Sequence, residues 1–204
     1  MARRMFPRDL STFIDREFRA NVWRYVLQSL MATAAIAGIL FFFDPGSQMG
    51  VVTGLGATAF IAFTMPHTRA AMPRSMVGGY VMCMLIAVLF YELSKFEPIV
   101  RLHETTAWGW QVFVACGLGT AIFIMVVTDT EHAPAAGAAL GIMLNPWTYV
   151  TLASVLFGVG LMALLRGLLA PHMLNLCSPH PLGAVSEGMA PAPAPVPPSE
   201  ESGT

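Results

Sequence analysis

An all-α, polytopic membrane helix bundle of four to five spans, with one or two short or re-entrant helices and a cytoplasmic N-terminus, is the fold this sequence predicts. Three observations carry it. Of 204 residues, 55% are hydrophobic and only 11% charged, too little charge to cover a water-soluble globule of this size. The hydrophobic residues gather into runs, several of them long enough to cross ~30 Å of hydrocarbon at 1.5 Å per residue. Short polar links rich in Pro, Gly and basic residues separate the runs.

Residues 1–22 carry Arg3, Arg4, Arg8, Arg16 and Arg19 among polar neighbours and read as a cytoplasmic or membrane-surface flank. Asp9, Asp15 and Glu17 interrupt the basic start, and no short apolar core with a small-residue cleavage site precedes residue 22, so no removable signal is expected. Residues 23–170 form the expected transmembrane domain. Its first span opens at Arg24 and runs to Phe43, and Asp44-Pro45-Gly46 turns the chain. The run Met49 to Met65 is glycine-rich and short for a crossing. A polar link from Pro66 to Arg74 leads into the apolar run Ser75 to Leu93, with Pro73 suited to a first helical turn. Residues 94–107 are polar. A further span extends from Trp108 to Thr128, with Trp108 and Trp110 as interfacial anchors.

After Asp129-Thr130-Glu131-His132-Ala133-Pro134, small residues continue only to Leu144, where Asn145-Pro146 breaks the run, too short to span. Trp147 and Tyr149 mark an interface before the last helix, which runs to Leu169 with Arg166 near its end. Residues 171–204 form a Pro/Ala-rich tail, and from Ser178 onward the composition is that of a disordered segment. Six arginines up to Arg24, with Arg69 and Arg74, against Lys95 and Arg101 on the other side, place the N-terminus inside. The side of the C-terminus stays open, because residues 134–144 could cross or dip in and return.

Several functions are excluded by composition and spacing. Eleven basic and twelve acidic residues nearly cancel and lie mostly outside the apolar runs, which leaves nucleic-acid binding without support. Cys83, Cys116 and Cys177 have neither disulfide-scaffold nor metal-ligand spacing. Asp129, Glu131 and His132 are neighbours on one loop and do not converge as a helical ligand pair would, and no nucleophile triad or phosphate-binding loop is present. No enzyme activity, cofactor or metal is expected.

Three features point to solute handling. Gly54-Leu55-Gly56-Ala57-Thr58-Ala59-Phe60-Ile61 echoes Gly117-Leu118-Gly119-Thr120-Ala121-Ile122-Phe123-Ile124, each followed by His-x-x-Ala-Ala, at His67 and His132. That is the pattern of a parallel repeat, although glycine and alanine are common enough in membrane helices to echo by chance. His132 and Pro134 open a small-residue helix through Gly137, whose N-terminal N–H groups and positive dipole end suit an anion, with the imidazole able to gain a proton. The competing reading is a surface loop capped by His132. Arg69 and Arg74 either collect anions at a cytoplasmic mouth or serve only as topology signals.

At these residues the chain resembles the HPP family of small integral membrane proteins, named for a His-Pro-Pro motif and described as having four membrane-spanning helices. The likeness runs from about residue 25 to 170. It rests on Gly56-Ala57-Thr58, on Pro73-Arg74 followed by Gly78-Gly79, and on His132-x-Pro134 leading to Asn145-Pro146-Trp147. Ala133 stands where the first motif proline is expected, and Ala-Ala-Gly follows Pro134 where the family usually has Ala-Gly-Ala. The resemblance implies a transporter, and nitrite as a solute of some members.

The expected function is a permease or channel-like protein for a small solute, with an inorganic anion such as nitrite as candidate; the alternative is a non-transporting scaffold or signalling partner. Candidate solute-path residues are His132, Pro134, Gly137, His67, Arg69, Arg74, Thr58 and Asn145. The expected setting is the inner cell membrane, crossed several times, with the lipid bilayer, the solute and further copies of the chain as partners.

Overall fold

The computed structural model describes residues 18–42 and 49–176. Among them are seven α-helices and two 3-10 turns, and no strand. Four segments are long and apolar enough to cross a membrane: they lie in α1 (Phe18–Phe42), α3 (Pro73–Leu93), α5 (Gly109–Val127) and α7 (Tyr149–Leu169), the last continuing through the 3-10 turn Ala170–His172. Two shorter apolar helices, α2 (Met49–Thr64) and α6 (Ala133–Leu144), lie among them. The seventh, α4 (Glu97–Thr105), falls where only a polar link was expected. Pro98 in its first turn and the Glu97–Arg101 ion pair one turn apart support it, and none of its residues is buried, as suits a short helix lying on a membrane surface.

Helix α1 starts six residues before Arg24, and Asn21 interrupts it with non-helical backbone angles. Pro73 occupies the first turn of α3, as its fixed φ and missing N–H allow. Helix α6 stops at Asn145, whose extended backbone precedes Pro146, a position that disfavours helical angles.

The two short helices pack antiparallel at very close range. A Cβ on Gly50 would lie 2.5 Å from Cα of Gly141, and one on Gly54 would lie 2.8 Å from the Pro134 carbonyl oxygen. Such backbone contact is how helices associate in lipid, where burial of apolar surface offers no preference for protein over acyl chain. Helix α3 packs behind α6 and α5, and α7 packs against α2 and α3. The core between them holds Leu55, Ala59, Met76, Tyr80, Ile142 and Val155.

Residues 173–176, the last described ones, pack against the ends of α1 and α2. Gln28, buried in α1, donates its amide to the carbonyls of Phe63 (2.6 Å) and Leu174 (2.9 Å), and its oxygen accepts from the Leu174 N–H. Leu176 N–H donates to the Thr64 carbonyl, and the Arg166 guanidinium to that of Pro66. These donors cap the end of α2, whose last carbonyls have no partner within the helix. Residues 173–176 therefore sit on the same face as the start of α1.

Candidate functional site

The link between α5 and α6 enters the bundle instead of crossing its surface. At the end of α5, Thr130 N–H bonds to the Met125 carbonyl and Asp129 N–H to that of Val126. This is the Schellman pattern, with Asp129 at the left-handed position (φ 57°). Glycine usually sits there, and another residue costs about 1–2 kcal/mol, least for Asn or Asp. Thr130 and His132 then turn inward, both buried. Gly79 of α3 makes the room: a Cβ there would lie 2.7 Å from the Thr130 carbonyl and 2.9 Å from His132 Cβ.

His132 is 1% exposed, and both of its ring nitrogens are engaged. Nδ1 lies 2.9 Å from the Ala70 carbonyl, which can only accept, so Nδ1 carries hydrogen. Nε2 lies 2.9 Å from Thr58 Oγ1, and the Tyr80 hydroxyl is 2.9 Å from the same oxygen. Thr58 and Tyr80 are fully buried. Thr58 is six residues inside the end of α2 and Tyr80 seven inside the start of α3, so the cluster lies about 10 Å below that face.

The cluster is complete in two protonation states. With neutral His132, the Thr58 hydroxyl donates to Nε2 and accepts from Tyr80. With a charged ring, Nε2–H donates to Thr58, whose hydroxyl turns to the Gly54 carbonyl 3.0 Å away. Neither state strands a buried polar group, although burial itself disfavours the charged ring.

On the face above it, Arg69 and Arg74 flank Asp129. Arg69 forms an ion pair with the carboxylate; Arg74 approaches it at 3.7 Å and donates to the Thr128 carbonyl at 3.3 Å. The arginine side chains are 63% and 71% exposed.

The eight candidate residues divide. Thr58, His132 and Pro134 come together in the interior, with Arg69 and Arg74 exposed on the face above. His67 is exposed and serves the C-terminal segment, its ring 3.0 Å from the Met173 carbonyl and its N–H bonded to Asn175. Gly137 is on the outward face of α6. Asn145 closes the far end of α6, its amide on the Gly141 carbonyl, about 18 Å from His132 along a 12-residue helix.

Two expectations need correction. The start of α6 is not an open anion cradle: Pro134 has no N–H, the Ala135 N–H bonds to the His132 carbonyl, and His132 and Pro134 are buried. His132 does not cap a surface loop either. The echoing glycine segments also have different surroundings, since Gly54 meets α6 whereas Gly117 meets Phe90 and Met143, and the two histidines that follow are not equivalent.

Tyr80, Asp129 and Gln28 were missed as partners. The one local signal was Gly78-Gly79 preceding a tyrosine inside an apolar run. A cavity of about 710 Å³ lies elsewhere: an apolar groove between α1 and α7 lined by Ala35, Ile39, Phe63, Phe157 and Leu161. It has the character of a lipid-facing groove.

Four long apolar helices, two short ones packed through glycine and a hydrogen-bonded polar cluster in their midst define a polytopic integral membrane protein. The family described as "HPP, transmembrane region" matches residues 16–180. The chain belongs to that family. Comparison with curated proteins and with solved structures returned no match.

Proposed function

We infer that this protein is a transporter of a small solute, an inorganic anion such as nitrite being the solute its mouth suits best, in the inner cell membrane. The reading rests chiefly on the buried His132–Thr58–Tyr80 cluster. An ionisable side chain at membrane depth is costly and, where found, usually marks a solute or proton path. Two further features support it. Arg69 and Arg74 present guanidinium groups directly above the cluster, and guanidinium recognises planar oxyanions. The Asp129–His132 link joins the mouth to the cluster through four consecutive residues.

In this reading the described conformation is closed, with His132 sealed beneath the link, and a transport cycle requires the link to lift. The conduit is completed by a second copy, because α2 and α6, about 24 and 18 Å long, fall short of the hydrocarbon thickness alone; crosslinking in native membranes that yields only monomer would remove this element.

Uptake of nitrite into proteoliposomes tests the function. Wild type should accumulate nitrite faster than empty vesicles, and His132→Ala and Thr58→Val should lose most of that rate. Equal rates for wild type and both variants would remove the cluster from the mechanism.

A further inference from the structure

The Arg69–Asp129–Arg74 arrangement has a feature that ordinary surface ion pairing does not explain. Two guanidinium groups from the 3-10 turn Arg69–Ala71 and from α3 converge on one carboxylate, leaving one positive charge in excess. The carboxylate reaches them from a residue with φ 57°, at the position where a helix end ordinarily uses glycine. It touches Arg69 directly and stands 3.7 Å from Arg74, and all three side chains are at least 47% exposed, open to solvent and to a competing anion. An exposed pair of this kind contributes little to stability.

We propose that Asp129 is a tethered occupant of an oxyanion site formed by Arg69 and Arg74, and that a small free oxyanion binds there by displacing it. A carboxylate and a monovalent oxyanion such as formate or nitrite offer guanidinium the same pair of oxygen acceptors, so each can replace the other. Displacement has a path inward. Thr130 lies between Asp129 and His132, its side chain packed against Gly78 and its hydroxyl 2.8 Å from that of Thr128. Movement of Asp129 off the arginines therefore loads the link that seals His132. The proposal deepens the transport reading of the same mouth and rests on it for its purpose, but it is tested by binding, independently of uptake.

The test is titration of the full chain in neutral detergent with sodium formate and sodium nitrite at constant ionic strength, read by calorimetry and by melting temperature. Asp129→Asn tolerates the left-handed backbone and Asp129→Gly favours it, so both retain the turn while removing the competitor. Each should bind either anion more tightly than wild type, on the order of fivefold if the internal pair closes the site most of the time. Arg69→Gln and Arg74→Gln should weaken binding in the Asp129→Asn background. Unchanged or weaker anion binding by both Asp129 variants overturns the proposal. A second arm uses nanodiscs of phosphatidylglycerol against phosphatidylcholine without added anion, because a lipid phosphate offers the same chemistry. A gain confined to the anionic lipid assigns the arginines to headgroups and overturns the free-oxyanion site. Tighter binding without any uptake upholds the site and removes the transport reading instead.

Discussion

At the scale of single residues, the interior depends on hydroxyl and imidazole groups that satisfy one another. Thr58→Val keeps the shape but leaves His132 Nε2 without its 2.9 Å partner, a loss of about 1–3 kcal/mol. The expected outcome is a lower melting temperature for Thr58→Val and a near-native one for Thr58→Ser, measured by thermal unfolding in detergent. Gly79→Ala should destabilise by about 1–3 kcal/mol, because the atoms its methyl meets are the Thr130 carbonyl and His132 Cβ, which cannot swing away. Gly56→Ala is the matched comparison: open space surrounds it, so it should leave stability unchanged or raise it. Thr58, His132 and Pro134 could be read from sequence because a threonine, a histidine and a proline are conspicuous among alanines and glycines. Tyr80 and Asp129 could not, since an aromatic in a span and an acid in a link are ordinary locally. Their meaning comes from a hydroxyl meeting Thr58 across 22 residues and a carboxylate lying between arginines on other elements.

Among helices, apolar run length and the prolines were sufficient to locate α1, α2, α3, α5, α6 and α7 closely. The one missed, α4, is amphipathic, and its alternation of Ile99, Val100 and Leu102 with charged residues was hidden by a polar average. Pairing was less legible, because glycine marks close packing without naming the partner. The α2–α6 contact makes a specific claim. Gly141→Ala would bring a methyl 2.8 Å from Val51 N and 2.9 Å from Gly50 Cα, forcing two backbones apart, whereas Gly137→Ala on the outward face meets nothing. Tryptic digestion in detergent should show faster cleavage for Gly141→Ala and wild-type behaviour for Gly137→Ala. If both behave alike, the helices do not pack through this face.

For the molecule as a whole, the arginine count predicted which end is basic, but the return of the C-terminal segment to that face rests on hydrogen bonds between residues more than 100 positions apart. In a background without native cysteines, Arg74→Cys and His172→Cys should react with a membrane-impermeant thiol reagent from one side, and Lys95→Cys from the other. Reaction of His172→Cys from the side of Lys95→Cys would refute the shared face. Gln28→Leu should release residues 173–176 and leave the Phe63 carbonyl unpaired, lowering stability by about 1–3 kcal/mol.

The Gln28 staple also bears on how the protein is made. Gln28 leaves the ribosome 146 residues before Leu174, the backbone partner that completes its bonding. For most of that interval the carbonyls of Thr64 and Pro66 await donors supplied by Leu176 and Arg166, among the last parts of the described bundle to be synthesised. Until those donors arrive, water is the partner left for these two carbonyls, so the end of α2 stays hydrated while α7 is still being made. A chain truncated before residue 173 would retain all seven described α-helices and still lack the Leu174 and Leu176 contacts that lock α1 to the end of α2.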